Sequence, residues 1–331
     1  MRERRTFAER TKVLKTSEAK RKFFLVFEGA KTEGIYFDAV NKLRSQISID
    51  PLIELVPLVR SYSESDWSNP EKIINRLIVD VEADITGEIP CEMVLNRIMD
   101  YFIESGILNS ARIGKKVIWE QMVMISQKQF GYSLNGIVRD IREFCEGVLE
   151  YLYRKIDIPQ IVDDISEIIM NGGLGYEDGY DKVCLVVDRD SGSFTEAQYD
   201  SVFAKCVERN IGLFVSNPCF EFWLLLHFDA VFSLDKEKLI SNPKVTSSKR
   251  YTEHELTKLL PRYCKSSYNA EGLIKNVDVA IKHAESFCEN IELLKNELGS
   301  NIGKLITCLR ENCDGSNFSK VKEQKLEREK D

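Results

Sequence analysis

The chain has 331 residues, of which 43% are hydrophobic and 30% charged, so it can build the core of one large or two ordinary domains. No apolar run approaches the roughly 20 residues of a membrane-spanning helix, and the N-terminus is charged without an apolar signal region. Nine cysteines, an odd number without a CxxC pair, are typical of reduced thiols rather than of disulfides or zinc sites. We therefore expect a cytoplasmic protein that neither crosses a membrane nor is secreted.

Residues 1–22 form a basic arm ahead of an acidic body. They contain nine basic and three acidic side chains, a net charge of +6, which leaves −13 for the rest of a chain whose total is −7. Such an arm can bind the phosphates of a nucleic acid, although a solubilising tail has the same composition. The candidate substrate-binding residues in this arm are Arg4, Arg5, Lys20, Arg21 and Lys22.

The first buried strand is predicted at Phe23–Phe27, five apolar residues that are followed by Glu28 and Gly29. An amphipathic helix is predicted over about Thr32–Gln46, so a carboxylate lies at the carboxyl end of a strand just before a helix. Ligands bind at that edge in open α/β sheets. Glu33 stands in the first helical turn, where it either takes part in the site or only favours the helix dipole.

Further α/β elements and a helical insertion follow. A second strand is predicted at Ile53–Val59 and a helix from Asn69 to Val81, with a polar loop between them. Residues 86–176 show no strand alternation, and we interpret them as a helical insertion between two strands of the core sheet. The helices predicted in this insertion are Cys91–Phe102, Val117–Gln127, Leu134–Tyr153 and Gln160–Met170.

A second acidic strand end is predicted after the insertion. Lys182–Val187 is another buried-strand run, and Asp188, Arg189 and Asp190 follow it. Alternate residues of an extended chain point the same way, so the two aspartates can face one site. Such a pair is stable mainly when a cation neutralises it, and oxygen ligands that keep water favour Mg²⁺ or Mn²⁺. A solvated turn is the alternative.

The third motif is SNPCFEFWLLLHF at 216–228. Pro218 suits the first turn of a helix, which Ser216 or Asn217 would cap. Glu221 then lies within an otherwise apolar helix. Because an unpaired buried carboxylate is costly, this side chain must reach the surface, a partner group or a metal.

The alternation of strands and helices predicts an α/β fold, with a mostly parallel sheet flanked by helices. We assign the core to 23–85 and 177–230, and a helical C-terminal region to 231–331. The remaining predicted elements are a helix at Thr195–Asn210, a strand at Ile211–Val215, and helices at Thr252–Leu260, Ala270–Ile291 and Ile302–Leu309.

Three motifs together, at 28–33, 188–190 and 216–228, resemble the RloB/AbiL-type family, whose members are encoded with bacterial restriction or abortive-infection systems. The resemblance covers roughly 20–85 and 177–300. That family is similar to Toprim domains, the metal-binding α/β modules of primases, topoisomerases and defence nucleases. The resemblance implies a Toprim-like fold, a phosphodiester-cleaving effector of anti-phage defence, and a partner ATPase encoded alongside.

The resemblance also implies roles for individual residues. The candidate metal ligands, for Mg²⁺ or Mn²⁺, are Glu28, Asp188, Asp190 and Glu221. The first three match the acidic residues of Toprim domains, and the glutamate among them would be either a ligand or a base that takes a proton from water. Lys31 and Arg189 would neutralise charge on the phosphate in the transition state, although a solvent-exposed Lys31 without that role is the alternative.

Two functions from different classes remain open. The first is a metal-dependent nuclease that a partner ATPase keeps silent, with RNA, and tRNA in particular, favoured over DNA as substrate. The second is a non-catalytic, Toprim-like binding subunit of the ATPase complex. The complete acidic set favours the enzyme, because degenerate sites usually lose one member. A homo-oligomer is open under either function.

Overall fold

The computed structural model describes residues 20–29, 31–58, 69–105, 108, 114–153, 175–190, 192 and 194–311. These residues divide into two compact units. The first comprises the described parts of Met1–Leu58 and Tyr180–Asp331, and the second comprises those of Val59–Gly179. The second unit begins before the predicted insertion and contains it. Most of the basic arm, most of the loop after the second strand, and the predicted helix Gln160–Met170 lie outside the described residues.

A five-stranded sheet forms the centre of the first unit, in the order β2-β1-β3-β4-β5. The strands from β1 to β4 pair in parallel, and β5 is antiparallel to β4. The α/β class and the mostly parallel sheet are therefore confirmed. The strands are Arg21–Phe27 (β1), Ile53–Leu58 (β2), Lys182–Asp188 (β3), Gly212–Asn217 (β4) and Gly299–Ser300 (β5).

The fifth strand was missed in the sequence because it has only two residues, too few to show an alternation. Its hydrogen bonds are continued by the next residue, Asn301. The Asn301 side chain accepts from the Val215 N–H at 2.6 Å and donates to the Leu213 carbonyl at 3.1 Å. Backbone and side chain together therefore line the outer side of β4.

Side chains on both faces of β1 and β3 are buried, as expected for parallel strands with continuous apolar runs. Phe23, Phe24 and Leu25 of β1 are fully buried, and so are Cys184 and Leu185 of β3. The helices of the first unit are Thr32–Lys42 (α1), Glu196–Glu208 (α6), Phe220–Leu225 (α7), Lys236–Ser241 (α8), Tyr251–Leu259 (α9), Ala270–Ile274 (α10), Val277–Ala284 (α11) and Ile302–Glu311 (α12).

The second unit is helical in its described residues and has a core of its own. Its centre is formed by apolar side chains that include Ile98, Met99, Phe102, Met122 and Phe144. Its helices are Pro70–Thr86 (α2), Cys91–Glu104 (α3), Lys115–Lys128 (α4) and Ile141–Tyr153 (α5). The helix α2 was predicted as part of the α/β core, but it belongs to this unit.

Four predicted helices have wrong bounds. The helix α2 continues to Thr86, beyond its predicted end at Val81. The first helix ends at Lys42 instead of Gln46, and α5 begins at Ile141 rather than Leu134. The predicted helix Ala270–Ile291 is two short helices, because the chain turns at Lys275 and Asn276, which cap them. In the last three cases the apolar spacing continues past the point where backbone hydrogen bonding changes.

The start of α7 also differs from the prediction. Pro218 lies before the helix, Cys219 is its N-cap, and the Asn217–Pro218 peptide bond is cis. Ser216 and Asn217 complete β4 instead of capping the helix. Their side chains bond to the Ser300 hydroxyl at 2.8 Å and to the Leu294 carbonyl at 2.8 Å.

Among the described residues, no helix is both long and apolar enough to cross a membrane. Eight described cysteines are free thiols, and six of these are buried. Cys264 is exposed, and Cys288 is half-buried.

Replacing Gly299 by Ala is expected to destabilise the first unit. A Cβ there would collide with the Cys288 backbone, approaching its carbonyl carbon to 2.6 Å and its nitrogen to 2.7 Å. Backbone atoms cannot rotate away, so we expect a loss of about 1–3 kcal/mol, as for other overpacked sites. The measurement is urea-induced unfolding followed by circular dichroism.

Gly303→Ala is the matched control for this substitution. Gly303 lies in α12, and a Cβ there would meet Ile281 Cγ1 at 3.5 Å, an ordinary contact. Alanine in a helix is favoured over glycine by about 1 kcal/mol, so this variant should be as stable as the parent or more stable. Equal stability of the two variants would contradict the tight approach at Gly299.

Candidate functional site

The carboxyl ends of β1 and β3 bring two predicted site residues together. The Glu28 N–H donates to the Val186 carbonyl at 3.0 Å, which continues the pairing of the two strands. The Glu28 carboxylate then accepts a hydrogen bond from the Asp188 N–H at 2.9 Å. The parallel register therefore places these acids side by side, as the motifs predicted.

Asp188 connects the sheet to α7. Its Oδ1 atom accepts a hydrogen bond from the Phe220 N–H at 2.8 Å, at the first residue of that helix. A carboxylate is favourable at this position because the first N–H groups of a helix lack partners within it. Asp188 thus holds the start of the helix that carries Glu221.

Glu221 is buried, with only 2% of its surface exposed, and its partner is a lysine. The Lys265 ammonium lies 2.8 Å from Glu221 Oε1, and the Tyr263 hydroxyl donates to the same oxygen at 3.1 Å. The sequence required that this carboxylate reach the surface, a partner group or a metal. The structure shows a partner group.

Glu33 is a fourth carboxylate at this place. It lies in the first turn of α1 and is buried. The backbone N–H groups of Glu33 and Gly29 are near its carboxylate and act to lower its pKa. A Cβ on Gly29 would come within 2.7 Å of Glu33 Oε1, so any larger residue there would force the Glu33 carboxylate to shift.

An aromatic cluster holds α1 and α7 together and so sets the position of Glu33 relative to Glu221. The Tyr36 ring meets the rings of Phe220 and Trp223 edge to face, at centroid distances of 5.5 Å and 6.3 Å. The Tyr36 hydroxyl bonds to His227 Nε2 at 3.1 Å. Burial lowers the pKa of His227 to about 4, so this imidazole is a neutral member of the core.

Burial and neighbouring charges give the buried carboxylates of this site different pKa values. Burial raises the pKa of Asp188 well above its ordinary value, and the charges of Glu33, Glu221 and Glu28 raise it further. Burial likewise raises the pKa of Glu33, with Glu221 adding to the effect. Burial also acts to raise the pKa of Glu221, but the Lys265 ammonium outweighs it and holds that pKa below the ordinary value. In the metal-free protein, protons are therefore favoured on Asp188 and Glu33.

Two cavities adjoin these carboxylates, and Asp188, Glu221 and Lys265 line both of them. The first cavity, of about 290 Å³, is also lined by Gly29, Lys31, Thr32, Glu33 and Phe220. The second cavity, of about 270 Å³, is lined by further side chains that include Asp190, Cys219, Asn242, Arg250 and Thr252. The structure therefore brings Asp188, Asp190 and Glu221, three of the candidate ligands, to one cavity.

The donor set fits a hard divalent cation. Carboxylate oxygens are the ligands that Mg²⁺ and Mn²⁺ prefer. A cation would relieve the repulsion that adds to burial in raising the pKa of Asp188 and Glu33. Within the described residues, no three side chains of His, Cys, Asp or Glu stand in the arrangement of a ready-made metal site. A cation would have to draw carboxylate oxygens away from their present partners, above all Glu221 Oε1 from Lys265.

Of the two side chains predicted to neutralise charge on the phosphate, Lys31 lies at a cavity and Arg189 does not. Lys31 is exposed and lines the first cavity. Arg189 lines neither cavity: it is buried, donates to the Phe194 carbonyl, and lies over the rings of Phe194 and Tyr199. Arg189 packs against these aromatic rings inside the fold, away from both cavities, and its role in phosphate binding stays a prediction.

The described residues of the basic arm lie far from the acids. Arg21 and Lys22 begin β1, whereas Glu28 follows its end, about 20 Å away at the usual rise of a strand. The Arg21 guanidinium lies over the Tyr180 ring, 5.2 Å from its centroid, and Lys20 is exposed. Arg4 and Arg5 lie outside the described residues. A role of this arm in substrate binding stays a prediction.

Sequence reasoning missed Lys265 and the residues that hold it. The Thr32 hydroxyl donates to the Lys265 carbonyl at 3.2 Å, and the Tyr268 hydroxyl donates to the Thr32 carbonyl at 2.7 Å. The signal in the sequence was a lysine between two tyrosines, Tyr263 and Tyr268, in a polar turn. That pattern indicates no chemistry until the fold places it beside Glu221.

The chain matches the model of a known protein family. The model of the RloB-like protein family matches residues 121–309, more than half of the chain. The chain belongs to the RloB-like family. The matched region includes Asp188, Glu221 and Lys265, whereas Glu28 and Glu33 precede it. No curated protein and no solved structure matches the chain.

Membership of the RloB-like family confirms the resemblance that the three motifs carry. It suggests a protein associated with abortive infection or restriction.

Replacing Asp188 by Asn is expected to stabilise the metal-free protein at neutral pH. The folded state binds the Asp188 proton more tightly than the unfolded chain, because its pKa lies well above the ordinary 3.8. The stabilisation from this proton is complete at pH values below the ordinary pKa. It is lost as the pH rises through the raised pKa of the folded protein. The asparagine oxygen can still accept the Phe220 N–H, so the variant should be more stable than the parent near pH 8.

Thermal unfolding in EDTA between about pH 4 and about pH 9 measures this difference. The advantage of Asp188→Asn over the parent should grow with pH. Asp200→Asn is the control, because Asp200 is exposed and pairs with Lys295 at 3.0 Å, away from the cavities. A stability advantage that does not change with pH would show that ionising Asp188 does not destabilise the folded protein.

Proposed function

We propose that this chain is a metal-dependent nuclease of a bacterial anti-phage system, acting in the cytoplasm on phosphodiester bonds of RNA, with tRNA favoured. The observation that carries this proposal is the cavity that Asp188, Asp190 and Glu221 line together at the carboxyl ends of parallel strands. Family membership supports the defence context. The resemblance to Toprim domains supports the use of Mg²⁺ or Mn²⁺, and the resemblance to the RloB/AbiL-type family supports release by a partner ATPase.

The residues that would hold a divalent cation are Asp188 and Glu221, with Asp190 from the second cavity and Glu33 from the first. When bound, the cation would lower the pKa of a water molecule and stabilise the leaving oxygen. Glu28 orients this set, because its carboxylate fixes the backbone N–H of Asp188. This hydrogen bond supports a positioning role for Glu28, and its roles as ligand or base stay predictions.

Cations at the cavities suit a phosphodiester substrate. Lys31 lines the first cavity, Arg250 lines the second, and Lys265 lines both. Each can neutralise charge on the phosphate as the attacking oxygen adds. The body of the chain carries a net negative charge, which disfavours loose binding of nucleic acid and suits an effector that a partner keeps inactive.

Asp188→Asn is expected to abolish cleavage of total tRNA while the protein remains folded. The substitution keeps the hydrogen bond to Phe220 but removes the charge that a divalent cation needs. Cleavage is measured for the purified chain, with and without the ATPase encoded alongside, on total tRNA and on plasmid DNA. Each reaction is run with Mg²⁺, with Mn²⁺ and with EDTA. We expect a loss of at least about a hundredfold, the scale of removing one transition-state group.

Asp200→Asn is again the control, since it removes the same charge from an exposed position on α6. Cuts in tRNA that need the metal, are lost in Asp188→Asn and persist in Asp200→Asn would support the proposal. Cuts confined to plasmid DNA would make the chain a DNA endonuclease. Intact RNA and DNA under every activated condition would favour the non-catalytic subunit.

A further inference from the structure

Lys265 occupies the position where a divalent cation would bind Glu221. Its ammonium is 2.8 Å from Glu221 Oε1, and the lysine lines both cavities. The pair is asymmetric: the side chain of Glu221 is 3% exposed, whereas that of Lys265 is 56% exposed. The carboxylate is therefore fixed, and the lysine reaches it from the open side.

The backbone around Lys265 is held firmly, so its position is built into the fold. Cys264 and Ser267 exchange two backbone hydrogen bonds, at 3.0 Å and 2.8 Å, which close the turn that carries the lysine. The Lys265 carbonyl accepts the Thr32 hydroxyl at 3.2 Å, which ties this turn to α1. A fixed backbone with an exposed side chain lets the ammonium change partners without moving the turn.

The first cavity has more carboxylates than Lys265 alone can neutralise. Asp188, Glu33 and Glu221 converge on the first cavity, and Lys265 lies on only one of them. A divalent cation supplies two charges and needs carboxylate oxygens, so it competes with the ammonium for Glu221. Once displaced, the ammonium remains beside the cavity and can pair with another anion. The phosphate of a bound nucleic acid is an anion of the right chemistry at that point.

We propose that Lys265 is an internal counter-ion that a divalent cation displaces from Glu221, and that its ammonium then binds the substrate phosphate. The second step rests on the nuclease function proposed above, whereas the first does not. No covalent bond forms or breaks in either step. Lys265 thereby neutralises Glu221 in the metal-free site and links metal binding to the binding of nucleic acid.

The first test is the affinity of the full chain for Mn²⁺, measured by calorimetry near pH 8 without nucleic acid. Lys265→Met removes the competing charge, so we expect it to bind Mn²⁺ about tenfold more tightly than the parent, a difference of about 1.4 kcal/mol. Lys265→Arg keeps a cation on Glu221 and should bind Mn²⁺ like the parent. Circular dichroism of both variants establishes that they are folded.

Lys258→Met is a matched control. Lys258 pairs with Glu255 at 2.7 Å, and its side chain is 55% exposed, close to the value for Lys265. It lines neither cavity. The control removes the same charge from the same kind of ion pair, so its Mn²⁺ affinity should stay within about twofold of the parent value. An equal gain in both methionine variants would reduce the effect to net charge and overturn the proposal.

The second test is binding of total tRNA in the presence of Ca²⁺, measured at several salt concentrations. Removing one phosphate-binding lysine lowers the slope of log affinity against log salt by about one. We expect this change in Lys265→Met and not in Lys258→Met.

The two tests separate the two steps. Parental or weaker Mn²⁺ affinity in Lys265→Met would overturn the counter-ion role. An unchanged salt slope with tighter Mn²⁺ binding would overturn the phosphate step alone. Tighter Mn²⁺ binding in a chain that cuts no nucleic acid would leave the counter-ion role standing and refute the nuclease.

Discussion

Repulsion between carboxylates at the carboxyl edge of the sheet is the constraint on which the rest of the site depends. The register of β1 and β3 places Glu28 beside Asp188, and α1 and α7 bring Glu33 and Glu221 to them. Such a set is unfavourable when every member is charged. The fold compensates with backbone N–H groups, with protons favoured on Asp188 and Glu33, and with Lys265. These compensations are reversible, which is what a site that takes up a cation requires.

Much of this arrangement could be predicted from local sequence. The continuous apolar runs before Glu28 and Asp188 identify buried parallel strands, and the carboxyl ends of neighbouring parallel strands share one edge. Those two facts are enough to bring the acids together. The apolar surroundings of Glu221 likewise predicted that this carboxylate needs a compensating group. Each prediction rests on residues within a few positions of one another, where periodicity and burial cost are informative.

The rest depends on contacts between residues distant in sequence. Lys265 and Glu221 are separated in sequence by the helices α8 and α9, and nothing in the sequence near either residue indicates that they are in contact. The burial of Arg189 depends on Phe194 and Tyr199, whose orientation is set by the packing of α6. The start of α7 was misplaced because Pro218 is compatible both with a first helical turn and with the connection that precedes one.

The pairing of β4 with the segment 299–301 limits how this protein can assemble. An exposed strand edge is a template for a strand from another molecule. Here the backbone of Gly299 and Ser300 and the amide of Asn301 already occupy the hydrogen-bonding groups on that side of β4. A second copy therefore cannot extend the sheet beyond β4 by strand addition without first displacing this segment. A symmetric assembly of the chain has to be built from other surfaces.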